Sequence, residues 1–230
     1  FNNVKDFNSY PANIKKDLSI LKKIKKIDFI YIPRFKDVYE NKKKSEIKIE
    51  KKYTRAISGG VGYAKTAANY AAALYPAVEA QKEGYHQLIW TDGKEHNYVE
   101  ESGTMNIWFR INNKLITPSL SDSILGGITR DSILKLATDS GIEVEERDVT
   151  VAEILEASKN NTLQEVFGTG TAVTVNPINS ITFRDEKLVI PTIESSYTIN
   201  LKQELQGIQK GKLEDKLGWT SKVVSKVSLS

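Results

Sequence analysis

Residues 59–70 read Gly59-Gly60-Val61-Gly62-Tyr63-Ala64-Lys65-Thr66-Ala67-Ala68-Asn69-Tyr70 and lead from glycine-rich backbone into a single lysine. Glycine permits positive φ angles and a close approach of the backbone to another surface. The alanine-rich run 67–80 that follows predicts a helix with a closely packed small face. Lys65 therefore stands where a loop becomes a rigid helix. We expect its small neighbours to desolvate the amine, which favours the neutral, nucleophilic form.

Three more segments carry glycines beside an apolar run, and each of them predicts a turn. A lysine alone is most often a solvated surface charge, so only the four segments together indicate a functional role for Lys65. We expect them to form the walls of one site. The three segments are residues 101–106 (Glu-Ser-Gly-Thr-Met-Asn), 124–130 (Ile-Leu-Gly-Gly-Ile-Thr-Arg) and 166–172 (Val-Phe-Gly-Thr-Gly-Thr-Ala).

The combination of these motifs is similar to that of the branched-chain amino acid aminotransferases. The motifs are Lys-x-x-x-Asn-Tyr at 65–70, Glu-x-Gly-Thr-Met-Asn at 101–106, Gly-Ile-Thr-Arg at 127–130 and Gly-Thr-Gly-Thr-Ala at 168–172. That family consists of pyridoxal-phosphate enzymes of the D-alanine aminotransferase-like fold, fold type IV. The resemblance covers about residues 46–224. It implies an α+β fold, the large C-terminal domain of that family, with a mixed β pseudo-barrel and surrounding helices.

The resemblance also assigns roles around the cofactor, pyridoxal 5'-phosphate. Lys65 would form the Schiff base and then, once freed, carry the proton between the substrate α-carbon and the cofactor. Glu101 would face the pyridine nitrogen, and the Tyr70 hydroxyl would contact the phenolic oxygen. Side chains alternate in a strand, so we expect the adjacent Glu100 to lie at the surface.

The phosphate and the substrate are expected at the remaining motifs. A helix that begins after Gly126 and Gly127 offers backbone N–H groups and a positive dipole end to an anion. By the resemblance, the phosphate would be held by Ile128, Thr129 and Thr171, and the substrate would contact Thr104, Met105 and Ala172.

The function implied is transfer of an amino group between leucine, isoleucine or valine and 2-oxoglutarate, by a cytoplasmic homodimer. Two alternatives stay open. One is a D-amino acid aminotransferase or aminodeoxychorismate lyase, relatives on the same fold that would keep Lys65 and Glu101. The other is a truncated chain that is inactive or binds only the cofactor.

Composition narrows the class of protein further. The 230 residues are enough for a sizeable core, and there is no cysteine for a disulfide, a thiolate or a cysteine metal site. His86 and His96 do not stand in a metal-ligand spacing, so we expect no metal. The sequence has no run of 18 apolar residues, so we expect no membrane span.

The front of the chain differs from the rest. Residues 1–52 carry 15 bases and seven acids, a net charge of +8, whereas the remaining 18 bases and 22 acids give −4. The pattern lacks the aromatic or arginine-rich face of nucleic-acid binders, so we expect no nucleic-acid partner. Residues 12–27 predict a basic amphipathic helix and residues 29–32 a strand.

We expect residues 1–45 to be a basic segment with a linker and residues 46–230 to be the cofactor-binding domain. Residues 1–27 match nothing in the family. The only methionine is Met105, so we expect that Phe1 is not an encoded start. We therefore expect a chain that lacks most of the small N-terminal domain.

Overall fold

The computed structural model describes residues 19–20 and 45–221. Residue contacts divide the chain into two units, Phe1–Lys43 and Lys44–Ser230. In the first unit the description is limited to Ser19 and Ile20, which are helical. The strand expected at 29–32 and most of the helix expected at 12–27 lie outside the described residues. The domain division expected after residue 45 stays a prediction.

Ten strands of the region 45–221 form one mixed sheet. The pairs β1–β2, β1–β9 and β5–β6 are parallel and the other pairs are antiparallel. The order is β10-β9-β1-β2-β3-β4-β5-β6, and β7 joins β4 to β8. The strands are β1 Glu46–Ile49, β2 Gln87–Thr91, β3 Val99–Ser102, β4 Met105–Ile111, β5 Lys114–Thr117, β6 Val144–Glu146, β7 Leu163–Gly170, β8 Thr174–Pro177, β9 Ser180–Phe183 and β10 Glu186–Val189.

Four helices between residues 45 and 221 accompany the sheet: α1 Ala67–Lys82, α2 Ile128–Asp139, α3 Val151–Lys159 and α4 Tyr197–Gln209. The helices that the sequence predicts over 67–80 and after Gly127 are both present, as α1 and α2. Proline usually interrupts a helix, but α1 continues through Pro76. In that part of the chain, no helix is long and apolar enough to cross a membrane.

The central strand β4 is buried on both faces, because its side chains alternate between two cores. Ile107, Phe109 and Ile111 pack in the core that α3 covers. Trp108 packs in the core that α2 and α4 cover, where its ring stacks on Phe167 with centroids 5.9 Å apart. The sheet therefore lies between two apolar layers, an arrangement typical of α+β domains.

The strand β2 also has buried side chains on both faces, and one of these faces packs against α1. Its Ile89 belongs to the α3 core, whereas Leu88 and Trp90 face Ala80 and Ala73 of α1. Small alanine side chains allow the helix to lie close to the sheet. This packing holds α1 against β2 in the interior of the sheet.

Two short sequence patterns account for the local structure around them. Asn112 and Asn113 adopt φ angles of 51° and 63° between β4 and β5, the left-handed conformation that this connection requires. Thr150 caps α3 by accepting a hydrogen bond from the Glu153 N–H at 3.0 Å. The Glu153 carboxylate bonds Arg147 at 2.9 Å.

The prediction of a turn at 166–172 is wrong for most of that segment. Residues 163–170 form β7, which pairs with both β4 and β8, and the turn covers only residues 171–173. The glycine at 168 has a packing reason, since a Cβ there would lie 2.8 Å from the Met105 Cε atom. Glycine here marks a crowded strand position and not a turn.

Candidate active site

Lys65 lies immediately before α1 and lines a pocket together with Tyr70, Glu101, Thr104 and Leu125. Its Nζ atom is 3.4 Å from the Tyr70 hydroxyl. The structure thus brings together residues from two of the four motifs, with Leu125 from the segment 124–130. The prediction that the Lys65 amine is desolvated is wrong, because Lys65 is exposed. Its neighbour Tyr70 is 45% exposed.

The loop before Lys65 is fastened to α1 by Asn69. The Asn69 side-chain amide donates to the carbonyl oxygens of Val61 at 2.9 Å and Ala64 at 2.8 Å. The Tyr63 N–H donates to the Asp122 carbonyl at 3.0 Å, which ties the loop to the segment before α2. Asn69 therefore adds a second hydrogen bond to each of two loop carbonyls that also accept backbone N–H groups, and this holds the position of Lys65.

Glu101 lies on β3 with its side chain only 5% exposed. Its Oε1 atom accepts the Leu125 N–H at 2.7 Å. Its Oε2 atom is 3.1 Å from Arg55 Nε, an ion-pair contact without hydrogen-bond alignment. Arg55 donates in turn to the Ser123 carbonyl. The carboxylate is thus held between the segment after β1 and the segment before α2.

Burial raises the pKa of Glu101 from its usual 4.5 to about 7. The charge of Arg55 and the Leu125 N–H oppose that rise, since both favour the ionised form. A carboxyl group with such a pKa changes protonation near neutral pH. Groups of this kind concentrate at functional sites.

We expect the Glu101→Gln variant to lose part of the pH dependence of folding. The folded-state pKa lies above the usual value, so the stabilisation is complete below about pH 4.5 and is lost as pH rises through 7. The wild-type free energy of unfolding should therefore fall relative to the variant, by up to about 3 kcal/mol. Urea unfolding of the cofactor-free chain at pH 5 and 7.5 measures this; Asp131→Asn is the exposed control. Parallel pH profiles for wild type and Glu101→Gln would contradict the assignment.

Glu100 does not lie at the surface as expected. The residue is 8% exposed and accepts a short hydrogen bond from the Ser123 hydroxyl. Burial raises its pKa above the usual value, and the Ser123 hydrogen bond opposes that rise. Both faces of β3 are covered, so alternation along the strand does not bring either carboxylate to solvent.

Asn106 connects Glu101 to the start of α2. Its side-chain amide donates to the Leu125 carbonyl at 2.7 Å and lies 3.5 Å from Glu101 Oε1. A Cβ on Gly127 would lie 2.3 Å from Asn106 Oδ1, so only glycine fits between them. No side chain caps the N terminus of α2, and its first residue, Ile128, is 86% exposed. The helix N terminus at Ile128 and Thr129 is therefore open to an anion.

The motif at 168–172 approaches Thr104 and Met105 through Gly170. A Cβ on Gly170 would be 3.4 Å from Met105 Cγ and 3.9 Å from the Thr104 carbonyl oxygen. Thr171 and Ala172 follow in an exposed turn. Met105 is 9% exposed and packs on this strand. It is not among the residues that line the Lys65 pocket.

Sequence reasoning missed Arg55, which lines the pocket, and it included Leu125 in the segment 124–130 without giving it a role. An isolated arginine in a loop carries no motif, so no local signal marked Arg55. Leu125 takes part through its backbone, which the sequence does not reveal. A wider groove elsewhere, lined by Lys48, Glu83 and Arg184 among others, contains none of the motif residues.

A family model described as amino-transferase class IV matches residues 29–181. A probable branched-chain-amino-acid aminotransferase of Staphylococcus epidermidis is 49% identical over 182 residues, which are 79% of this chain and 51% of that protein. The chain spans about half the length of the curated relatives it matches.

Solved structures show the same likeness. The crystal structure of the branched-chain amino acid aminotransferase of Escherichia coli matches with a TM-score of 0.63 and 31% identity, over 75% of this chain and 53% of that one. The Thermobaculum terrenum enzyme in its PLP form matches with a TM-score of 0.62 and 27% identity, over 74% of this chain and 52% of that one. These matches confirm the fold class expected from the sequence.

Proposed function

Because the chain belongs to the class IV aminotransferase family, as its motifs predicted, we propose that it transfers an amino group between a branched-chain amino acid and 2-oxoglutarate with pyridoxal phosphate as cofactor. The observation that carries the proposal is the pocket in which the Lys65 amine, the Tyr70 hydroxyl and the buried Glu101 carboxylate meet. The names of the relatives that the chain matches support the branched-chain substrate.

The residues present fit pyridoxal phosphate. The cofactor requires an amine for its aldehyde, an acid for its ring nitrogen and donors for its phosphate. Lys65, Glu101 and the open N terminus of α2 supply groups of these kinds. Tyr70 adds a hydroxyl 3.4 Å from the amine. Bound there, pyridoxal phosphate supplies an electron sink for the electrons left when the substrate α-carbon loses its proton.

The chain's own groups would then divide the work. Lys65 would attach the cofactor and, once released, move the proton at the substrate α-carbon as a general base. Glu101 would hold a proton at the ring nitrogen, and its contact with Arg55 would keep the carboxylate oriented. Ile128, Thr129 and Thr171 would bind the phosphate. Thr104 and Ala172 would bind the substrate carboxylate, with Met105 near the substrate side chain.

Two half-reactions on the chain itself test the proposal. Pyridoxal phosphate is added to the purified chain, and lysine attachment is followed by its visible absorbance. Leucine is then expected to remove that absorbance as the amino group transfers, and 2-oxoglutarate to restore it. Loss of the absorbance with D-alanine but not with leucine would favour the D-amino acid alternative and overturn the branched-chain assignment.

Self-association is the second part of the proposal. The helix α1 exposes Tyr70, Leu74, Tyr75 and Val78, by between 45% and 66%. An apolar face of this kind favours a protein partner, and a second copy is the partner expected of the family. Sedimentation should therefore detect a dimer that Leu74→Lys weakens about tenfold or more, whereas Lys82→Glu at the end of the same helix should have little effect. A monomeric wild-type chain would exclude this homodimer.

A further inference from the structure

Trp90 is a buried residue of β2 with no role in the proposed function. It is 1% exposed and packs with Leu88 and Ala80 beneath α1, the helix that begins two residues after Lys65. Its indole N–H donates to the carbonyl oxygen of Gly103 at 2.9 Å. A buried indole N–H requires an acceptor, and here the acceptor belongs to a turn that lines the Lys65 pocket.

That turn is the two-residue loop between β3 and β4, with Gly103 at a φ of 58°. The Gly103 carbonyl and the Thr104 N–H belong to one trans peptide group, which is planar. The two bonds therefore point in opposite directions, and fixing the carbonyl fixes the N–H. Since turn types differ in the orientation of this central peptide group, a contact that holds its carbonyl selects one orientation.

The strand β2 holds Gly103 from both sides. The Gly103 N–H donates to the Leu88 carbonyl at 2.7 Å, and the Gly103 carbonyl accepts from Trp90. A Cβ on Gly103 would lie 2.2 Å from Gln87 Oε1, so the side chain of Gln87 closes the remaining space. Three successive contacts with one buried strand define the path of the turn.

We propose that Trp90 is a positioning residue whose hydrogen bond to Gly103 directs the Thr104 N–H toward the Lys65 pocket, as a donor for the carboxylate of the substrate. The nature of that ligand rests on the proposed function. Because Trp90 also packs under α1, one side chain sets the turn and the lysine-bearing helix relative to each other.

The Trp90→Phe variant keeps an aromatic ring and removes the N–H donor. In the chain loaded with pyridoxal phosphate, we expect the Kd for 4-methyl-2-oxopentanoate, the 2-oxo acid of leucine, to rise about 5- to 10-fold, the effect of one misdirected hydrogen bond. The cofactor absorbance should be unchanged. Trp108→Phe is the matched control, since it removes an equally buried indole N–H that donates to Thr169 Oγ1 at 3.1 Å. Equal Kd values for Trp90→Phe and wild type would overturn the proposal.

Amide resonances of the cofactor-free chain give a readout without activity. Trp90→Phe should shift and broaden the Thr104 amide signal, and Trp108→Phe should leave it in place. If Trp90→Phe does not fold, wild-type chain titrated with 4-methyl-2-oxopentanoate decides: the Thr104 amide should shift and the Asn113 amide, in the next hairpin, should not. An unmoved Thr104 amide would overturn the proposal. Absence of cofactor absorbance in wild type would instead refute the proposed function.

Discussion

Replacing Lys65 with alanine is expected to abolish the visible absorbance of bound pyridoxal phosphate and to slow the reaction with leucine by at least about 10³-fold. The reason is that one amine both attaches the cofactor and moves the proton, and general acid–base catalysis alone contributes about 10²- to 10⁴-fold. Stopped-flow absorbance after mixing with leucine measures the rate. Because Lys65 is exposed, the variant should fold with little change in stability.

Two variants separate the chemistry of Lys65 from its charge. Lys65→Arg keeps the positive charge near Tyr70 and Glu101 but provides no amine that deprotonates, so it should be as inactive as Lys65→Ala. Lys82→Ala, at the other end of α1, removes an exposed lysine paired with Glu79 and should react like the wild type. Normal cofactor attachment in Lys65→Arg would exclude Lys65 as the reactive amine.

The second large effect is expected for stability, in a buried ion pair whose residues belong to none of the motifs. Arg110 on β4 lies opposite Glu165 on β7, with Nη1 and Oε2 3.1 Å apart and both side chains at most 8% exposed. Glu165 also accepts the Tyr197 N–H at 2.9 Å and the Thr198 N–H at 3.2 Å. The Glu165 carboxylate thus has two roles, since it both caps the N terminus of α4 and neutralises Arg110. Glu165→Ala should lower the free energy of unfolding by about 3–5 kcal/mol, because it leaves a buried charge unpaired.

Urea unfolding measures this loss, and two variants interpret it. Asp131 and Lys135 form an exposed ion pair at 2.7 Å. Removing the Asp131 carboxylate should change the free energy of unfolding by less than about 1 kcal/mol. The double variant Arg110→Met/Glu165→Leu should be more stable than Glu165→Ala, because neither charge is then left unpaired. A double variant that is less stable than Glu165→Ala would mean that the other contacts of Arg110, with the Ser195 carbonyl, Asn113 and the Tyr197 ring, outweigh the cost of leaving its charge unpaired.

Sequence patterns predicted what local physics controls. The alanine run specified α1, the glycine pair before Ile128 marked the start of α2, and Asn112-Asn113 suit a turn that needs positive φ. The motifs also indicated that Lys65 and Glu101 share a pocket with Thr104. Each of these features depends on a few neighbouring residues and on which backbone angles they tolerate, so the sequence alone contains it.

The tertiary structure decided the features that depend on distant partners. Residues 163–170 form a strand because β4 and β8 flank them, and Glu100 is buried because Ser123 folds over it. The contact of Arg55 with Glu101 joins residues 46 positions apart in the sequence. Strand register and the packing of layers determine which charged groups come into contact and which side chains are buried. Both depend on residues far apart in the sequence, so no local sequence pattern specifies them.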